Sequence, residues 1–445
     1  MKTSKFLSVL FLTMAGTTVI SSAQEIDWAA ESITITTEAQ LRELAQRVNG
    51  TGGFERNTFE DQTFVLANDI TLTGGNWEPI GRTGRTSDAS PLDESVNFRF
   101  NGTFDGNGKV VSDLIIKGNI NYTGFFGWVG EKGHVKNLGV NVAEYDVTTS
   151  WGGPYAGGIV GINEGTIEKC FATGDVKSGT TWPAYIFVGG LTGANSGIIT
   201  ECYATGNVNG FSSYNIYVGG LVGTTSGNTK ILDGKAAIVN SYATGDISAS
   251  GSGTRYMGGL VGDNGYSVTT TIVENCYSTG SVSGTGSNVG GLVGRNIATV
   301  TASYYDSETS GRSDTGKGEP KTTAEMKTLA TFADWDFDDI WGIEAGKNAG
   351  YPYLWMKAGA TTGLADILPE KWQIYPNPVK NELFITGDSP ITKVEAFDIS
   401  GHIVKTWHVE TRHVETLHAT SLQRGMYILK VYTGNGVVVK KIVKD

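Results

Sequence analysis

Two short motifs recur in alternation along the middle of the chain, and that recurrence leaves few folds open. Gly157-Gly158-Ile159-Val160-Gly161 is followed by Gly-Gly-Leu-x-Gly beginning at Gly189, Gly219, Gly258 and Gly290. A second motif trails each copy: Cys170-Phe171-Ala172-Thr173-Gly174, Cys202-Tyr203-Ala204-Thr205-Gly206, Ser241-Tyr242-Ala243-Thr244-Gly245 and Cys276-Tyr277-Ser278-Thr279-Gly280, decaying to Ser303-Tyr304-Tyr305-Asp306. From the last glycine of the first motif to the Cys/Ser position the gaps are 9, 9, 18, 14 and 9 residues. Fixed motifs with elastic gaps point to stacked coils, in which each unit contacts only its neighbours and loops vary freely. A degenerate earlier copy lies at Gly124-Phe125-Phe126-Gly127 and Val135-Lys136-Asn137-Leu138-Gly139-Val140.

Both motifs read as short strands. Alternation through Cys202–Val208 places Cys202, Ala204, Gly206 and Val208 on one face and Tyr203, Thr205 and Asn207 on the other. Small and apolar residues suit the narrow inside of a solenoid. Repeated glycine, which weakens an ordinary strand, implies a bend or a close backbone approach. The expected architecture is all-β: a parallel β-helix (β-solenoid) with short helical caps, then a small C-terminal β-sandwich. A β-propeller is the alternative, but each blade takes roughly 40–45 residues. Glycine supplies 62 of 445 residues and charged residues only 18%, as many short strands and turns require.

Lys2 and Lys5, an apolar stretch from Phe6 to Met14 and the small residues before Ala23 read as a secretory signal peptide, cleaved between Ala23 and Gln24. That stretch is shorter than the roughly 18–20 residues of a membrane span, and no transmembrane segment is expected in the mature chain. The net charge is −11, with the acidic excess in the body. This argues against nucleic acid and anionic membranes as partners. Three cysteines, Cys170, Cys202 and Cys276, are too few for a disulfide framework and read as small buried residues.

The repeats resemble the GLUG-motif family, named for its Gly-Leu-x-Gly core. The resemblance extends to Trp77-Glu78-Pro79-Ile80-Gly81 and Gly102–Gly108 before them, and to Trp335–Ile343 and Gly350–Leu354 after them. It implies an extracellular, adhesin-like architecture without a defined reaction. The last 75 residues change character. Tyr375-Pro376-Asn377-Pro378, Asp398-Ile399-Ser400-Gly401, Leu422–Tyr427 and a lysine-bearing end look like the type A C-terminal sorting domain of the type IX (Por) secretion system of Bacteroidota. That resemblance implies export across the outer membrane and type IX machinery as a partner of residues 372–445.

The expected organisation is a signal peptide at 1–23, an N-terminal cap and first coils at 24–122, a repeat solenoid at 123–310, a C-terminal cap at 311–357, a linker at 358–371 and the sorting domain at 372–445. Thr37 with Gln40, and Thr322 with Glu325, are capping boxes that open the two cap helices. Leu41, Leu44, Ala45 and Val48 form the apolar stripe of the first. Met326, Leu329 and Ala330 form that of the second. Six or seven short strands are expected in the tail.

Motifs that carry chemistry are sparse. His408, His413 and His418 recur every five residues, a spacing that sends them to divergent faces. Asp105-Gly106-Asn107-Gly108 opens like a calcium loop, but the twelfth position is Ile116 and not glutamate, so a turn is expected. No catalytic residue, metal site or cofactor is expected, and the chain is read as a non-enzyme. The candidate ligand-binding feature is an aromatic column, Phe171, Tyr203, Tyr242, Tyr277 and Tyr304, which stacked coils would align as a ladder. It either stacks on sugar rings or packs under the long loops. The expected function is adhesin-like binding to an extracellular glycan or surface protein. The alternatives are a β-helix polysaccharide lyase or glycoside hydrolase, and a purely structural surface protein.

Overall fold

The structure, a computed structural model, describes residues 26–82, 98–226, 236–266, 269–356 and most of 373–444. The Ala23-Gln24 junction, the 358–371 linker and parts of the tail motifs (376–379 and 398–402) lie outside the described residues. From Ser32 the chain winds into coils that pair in parallel with their neighbours, Ser32 with Thr63, Thr63 with Thr103 and Thr103 with His134. One full coil has strands Thr166–Glu168, Phe171–Thr173, Val176–Thr180, Ile186–Gly189 and Thr192–Asn195. The next repeats them at Ile198–Thr200, Tyr203–Ala204, Val208–Phe211, Ile216–Gly219 and Val222–Thr225. Among the described residues, these strands belong to one sheet of 19 strands, which begins at Ser32, and two of six, which begin at Tyr122 and Phe126. Uniformly parallel pairing is that of a β-helix and not of a propeller, whose blades are antiparallel.

Equivalent residues in successive coils are 32, 39, 35 and 27 positions apart: Asp175 and Asn207, Asn207 and Asp246, Asp246 and Ser281, Cys276 and Ser303. Register survives these different lengths because the spacing changes between strands, from Thr225 to Ala237 and from Asn264 to Ile272, and not within them. A backbone amide in each coil is held by a side chain in the coil before it. The carboxylate of Asp175 accepts from the Asn207 N–H at 2.8 Å, and the Asn207 side chain accepts from the Asp246 N–H at 2.9 Å.

The glycines of the first motif let two sheets touch through their backbones. A Cβ added at Gly223 would lie 2.6 Å from the Gly193 carbonyl oxygen and 2.6 Å from the Val188 nitrogen. Gly193, Gly262 and Gly294 face the same kind of contact one coil away in either direction. The second glycine of the motif meets the alanine of the other motif across the interior: a Cβ at Gly158, Gly190 or Gly220 would lie 2.8 Å from the Cβ of Ala172, Ala204 or Ala243. The two motifs recur together because they are the two sides of one narrow neck. In the last coil the alanine position is Tyr305, which is fully buried beside Gly291 and donates to the Asp314 carbonyl at 2.7 Å.

The cysteine column has a different cause. The residue before each Cys or Ser is left-handed: Lys169, Glu201, Asn240 and Asn275 have φ of 51°, 52°, 49° and 51°. This sharp corner frees the next amide. The Cys170 N–H donates to Cys202 Sγ at 3.4 Å, the Cys202 N–H to Ser241 Oγ at 3.1 Å and the Cys276 N–H to Ser303 Oγ at 3.1 Å. Sulfur and hydroxyl oxygen both satisfy that amide, so the position alternates between Cys and Ser. All three cysteines are buried and free.

The first helix, Glu38–Asn49, has the Thr37/Gln40 capping box and buries Leu41, Leu44, Ala45 and Val48. The second box, Thr322/Glu325, is also made, but its helix spans only Thr323–Met326. Lys327 leaves helical geometry, and a 3-10 turn at Leu329–Phe332 shifts the phase. Met326 and Phe332 are buried as a result, while Leu329 and Ala330 are exposed, contrary to expectation. In the tail, five antiparallel strands are described: Gln373–Tyr375, Glu382–Phe397, Ile403–His418, Gly425–Thr433 and Gly436–Lys444. Six or seven were expected. The first two 16-residue strands shift register between Thr386 and Ile391, so each replaces two short ones. Leu383, Ile385, Ile391, Val394, Leu429 and Val431 lie in a core of their own.

Two substitutions test this account. Gly223→Ala should destabilise the solenoid by about 1–3 kcal/mol through backbone overpacking, whereas Gly346→Ala, with open space around its Cβ, should be neutral in the same thermal melts. Cys202→Ser should melt near the wild type, and Cys202→Ala should cost about 1–3 kcal/mol because the Cys170 amide loses its acceptor. Equal melting of the Ser and Ala variants would show that the column only fills space.

Candidate functional site

The predicted aromatic column forms. Phe171, Tyr203, Tyr242, Tyr277 and Tyr304 pair in register on adjacent strands. The first four rings stack with centroids 5.0, 4.9 and 4.9 Å apart and nearly parallel planes. Their surroundings divide them. The segment after the last coil folds over Tyr242, Tyr277 and Tyr304 with Met326, Phe332, Trp335, Ile340, Trp341 and Leu354. Tyr277 Oη donates to the Pro352 carbonyl at 2.5 Å, Asn348 Nδ2 donates to Tyr277 Oη at 2.6 Å, and Trp335 Nε1 donates to the Ala302 carbonyl at 2.9 Å. Phe171 and Tyr203 are half-buried. Burial pushes the Tyr203 phenol up to about 12 and raises that of Tyr277 well above its ordinary value. Three of the five rings are thus the floor of the cap. The Asp105 segment lies within the strand Thr103–Gly118 and not between strands, contrary to expectation: Asn107 and Gly108 are left-handed at φ of 52° and 71°, the pairing shifts register between Asp105 and Lys109, and the Asp105 carboxylate accepts from the Asn107 N–H at 2.8 Å and from Asn137 Nδ2 at 3.0 Å. Among the described residues no three His, Cys, Asp or Glu side chains converge as metal ligands.

A second aromatic ladder, absent from the sequence reading, occupies another sheet. Tyr122, Tyr155, Phe187, Tyr217 and Tyr256 are in register. Their rings stack at 5.3, 4.7, 4.9 and 4.4 Å. Its signal was an aromatic residue two places before Gly-Gly at 155, 187, 217 and 256. At one end Arg295 lies over Tyr256, 5.0 Å from the ring centroid. The same guanidinium grips the fully buried Asp263 through Nε at 2.8 Å and Nη2 at 2.6 Å. Burial raises the Asp263 pKa, and Arg295 opposes that rise.

Outside this ladder stands a rim of exposed rings. Trp182 is 51% exposed, Tyr214 45%, Tyr185 38% and Tyr266 37%. Tyr185 meets Tyr214 edge-on at 4.9 Å, and Tyr266 approaches Tyr217 edge-on at 5.6 Å. Trp182 and Tyr214 hold equivalent places in successive coils, as the pairing of Gly179 with Phe211 fixes. The same device sets both. Thr180 Oγ1 accepts from the Trp182 N–H at 3.0 Å and donates to the Gly152 carbonyl at 2.9 Å. Ser212 Oγ accepts from the Tyr214 N–H at 3.0 Å and donates to the Ala184 carbonyl at 2.8 Å. The backbone that carries Trp182 and Tyr214 is therefore tied to the coil beneath each of them.

Comparison with known proteins accounts for the framework on which this rim is built. The GLUG motif matches residues 152–177 and 214–248. Residues 373–445 match a secretion system C-terminal sorting domain. The chain carries both. The sorting domain is that of the type IX system and marks a secreted or cell-surface protein. A protein of Evansella cellulosilytica described as a Gly-rich membrane protein is 54% identical over 81 residues, 16% of this chain and 9% of that one. The chain thus spans under a tenth of that relative's length. No helix among the described residues is long and apolar enough to cross a membrane. Within the GLUG coils, Tyr214 falls inside a matched stretch, whereas Trp182, Tyr185 and Tyr266 fall outside both. The motif builds the scaffold, and the variable loops carry most of the rim.

The covered ladder and the open rim should respond differently to mutation. Trp341→Ala should lower stability by about 3–5 kcal/mol, because the cap loses a fully buried ring. Tyr214→Ser should leave the melting temperature almost unchanged. A large loss of stability from Tyr214→Ser would mean that the rim is structural.

Proposed function

We propose that this secreted or cell-surface protein is an adhesin-like binding protein and that it binds through the aromatic rim of its GLUG solenoid. The observation that carries this reading is the contiguity of exposed rings from three coils. Exposed aromatic side chains are costly to leave in water and are enriched where proteins meet ligands. Pinning of the backbone by Thr180 and Ser212 lowers the entropic cost of binding. The predicted ladder enters only through Phe171 and Tyr203, its half-buried end.

The rival reading, a polysaccharide lyase or hydrolase, calls for acids or a metal converging on a substrate. Asp263, which approaches the ladder beside the rim, is engaged by Arg295, and Asp306 holds Thr323 Oγ1 and Tyr351 Oη at 2.7 Å each. Both acids are spent on structure.

Full-length protein displayed on its own cells should mediate adhesion to a panel of cell and matrix surfaces. Display should disappear when residues 373–445 are removed, as immunostaining of intact cells would reveal. Adhesion should fall when Tyr185→Ser and Tyr214→Ser are combined, with display unchanged. Undiminished adhesion by that variant, or release of new sugar ends from any surface glycan, would overturn the reading.

A further inference from the structure

We propose that the rim formed by Trp182, Tyr185, Tyr214 and Tyr266 is a binding site for a neutral polysaccharide chain laid along the solenoid axis. This assignment rests on the adhesin reading and names its ligand class.

The first argument is the availability of ring faces. Tyr185 and Tyr214 meet at an interplanar angle of 89°, and Tyr185 and Tyr266 at 88°. Each edge-on contact takes up at most one ring face, and Tyr185 lies only loosely parallel to Phe187 and Tyr217 at 6.5 and 6.3 Å, in contrast to the ladder beneath, whose rings spend their faces on one another. An open ring face beside a phenolic hydroxyl suits the C–H face and the hydroxyls of a sugar together.

The second argument is charge. Residues 178–200 and 208–226, which hold Trp182, Tyr185 and Tyr214, contain no Asp, Glu, Lys or Arg. Near Tyr266, Asp263 and Arg295 neutralise each other in a bidentate pair. Arg255 stands in the strand beside Ile216, with its Nη2 donating to the Gly251 carbonyl at 2.8 Å; a single guanidinium is no basic cluster for a polyanion, and among the described residues a polycation finds no free carboxylate here. The groups standing beside the rings are hydroxyls, with Thr181 and Ser213 exposed. A neutral polyhydroxyl ligand fits that chemistry.

The third argument is spacing. Trp182 and Tyr185 come from one coil, Tyr214 from the next, and Tyr266 follows the strand Val261–Asn264 of the third. Adjacent coils are separated by about 4.8 Å along the axis, close to the length of one hexose unit in an extended chain. Trp182 and Tyr214, which hold equivalent places in successive coils, can therefore meet successive sugars, while Tyr266 leans back over Phe187 and Tyr217, 6.0 and 5.6 Å away, and flanks them. Each contact is weak, and affinity arises from several engaged at once. The row stops where Gly253 replaces the position of Tyr214 in the following coil.

The test uses the full chain in native affinity electrophoresis through gels containing soluble β-glucan, arabinoxylan or galactomannan, with alginate as the anionic control. At least one neutral polymer should retard the protein, equally at low and high salt. Trp182→Ala, Tyr185→Ser and Tyr214→Ser should each weaken retardation about three- to ten-fold, and the triple variant should abolish it with an unchanged melting curve. Should the triple variant unfold, Trp182→Ala and Tyr214→Ser, the two most exposed positions, are read singly. Retardation that survives the substitutions would overturn the site. Retardation by alginate alone, lost at high salt, would overturn the ligand class. Adhesion to protein-coated surfaces that depends on the rim, without retardation by any polysaccharide, would overturn the glycan assignment and leave the adhesin reading standing. Absence of both activities would overturn the two together.

Discussion

The fold depends on a contact that has no side chain in it. Where Gly193, Gly223, Gly262 and Gly294 face the neighbouring sheet, backbone touches backbone, and Gly158, Gly190 and Gly220 admit only the methyl groups of Ala172, Ala204 and Ala243 from across the interior. Such a neck tolerates no added carbon without displacing a peptide unit. It also fixes how one coil sits on the next, because any slip would bring a larger residue to a place with no room for it. The aromatic columns, the cysteine-serine corner and the carboxylate-to-amide links all inherit their alignment from it.

Stacked rings are accordingly a by-product of stacking coils, and stacking alone does not decide their role. Tyr242 and Tyr277 have near-parallel neighbours on the strands beside them, as do Phe187 and Tyr217. The first pair is sealed by the tryptophans of the cap, and the second lies under a fringe of further aromatics that water reaches. Function follows from what covers a column, which is a property of the loops and the exit segment.

This division explains what the sequence disclosed. Elements that repeat, or that obey local rules, were legible: the inward Cys202, Ala204 and Val208, the register of Phe171 with Tyr203, and both capping boxes. The fate of Tyr277 was not legible, because it is set by Asn348 and Pro352, more than 70 residues away. Leu329 was misplaced because one residue, Lys327, leaves helical geometry and resets the phase. The ladder through Tyr155 and Tyr256 was readable as a column, but it lies just ahead of the glycines that draw the eye. Tyr185 and Tyr266 occupy places that do not repeat, so no pattern could mark them.

Tyr305 gives the solenoid a direction of growth. Its ring occupies the last alanine position and is tied to Asp314, so the terminal coil has no surface prepared to receive another. A duplicated repeat therefore has to enter between existing coils, where both necks are of the ordinary Gly-to-Ala kind. Each such insertion pushes the plugged end outward by about 4.8 Å and leaves the chemistry of both ends untouched. The length of the exposed face is in this sense a free variable, while the two ends stay fixed.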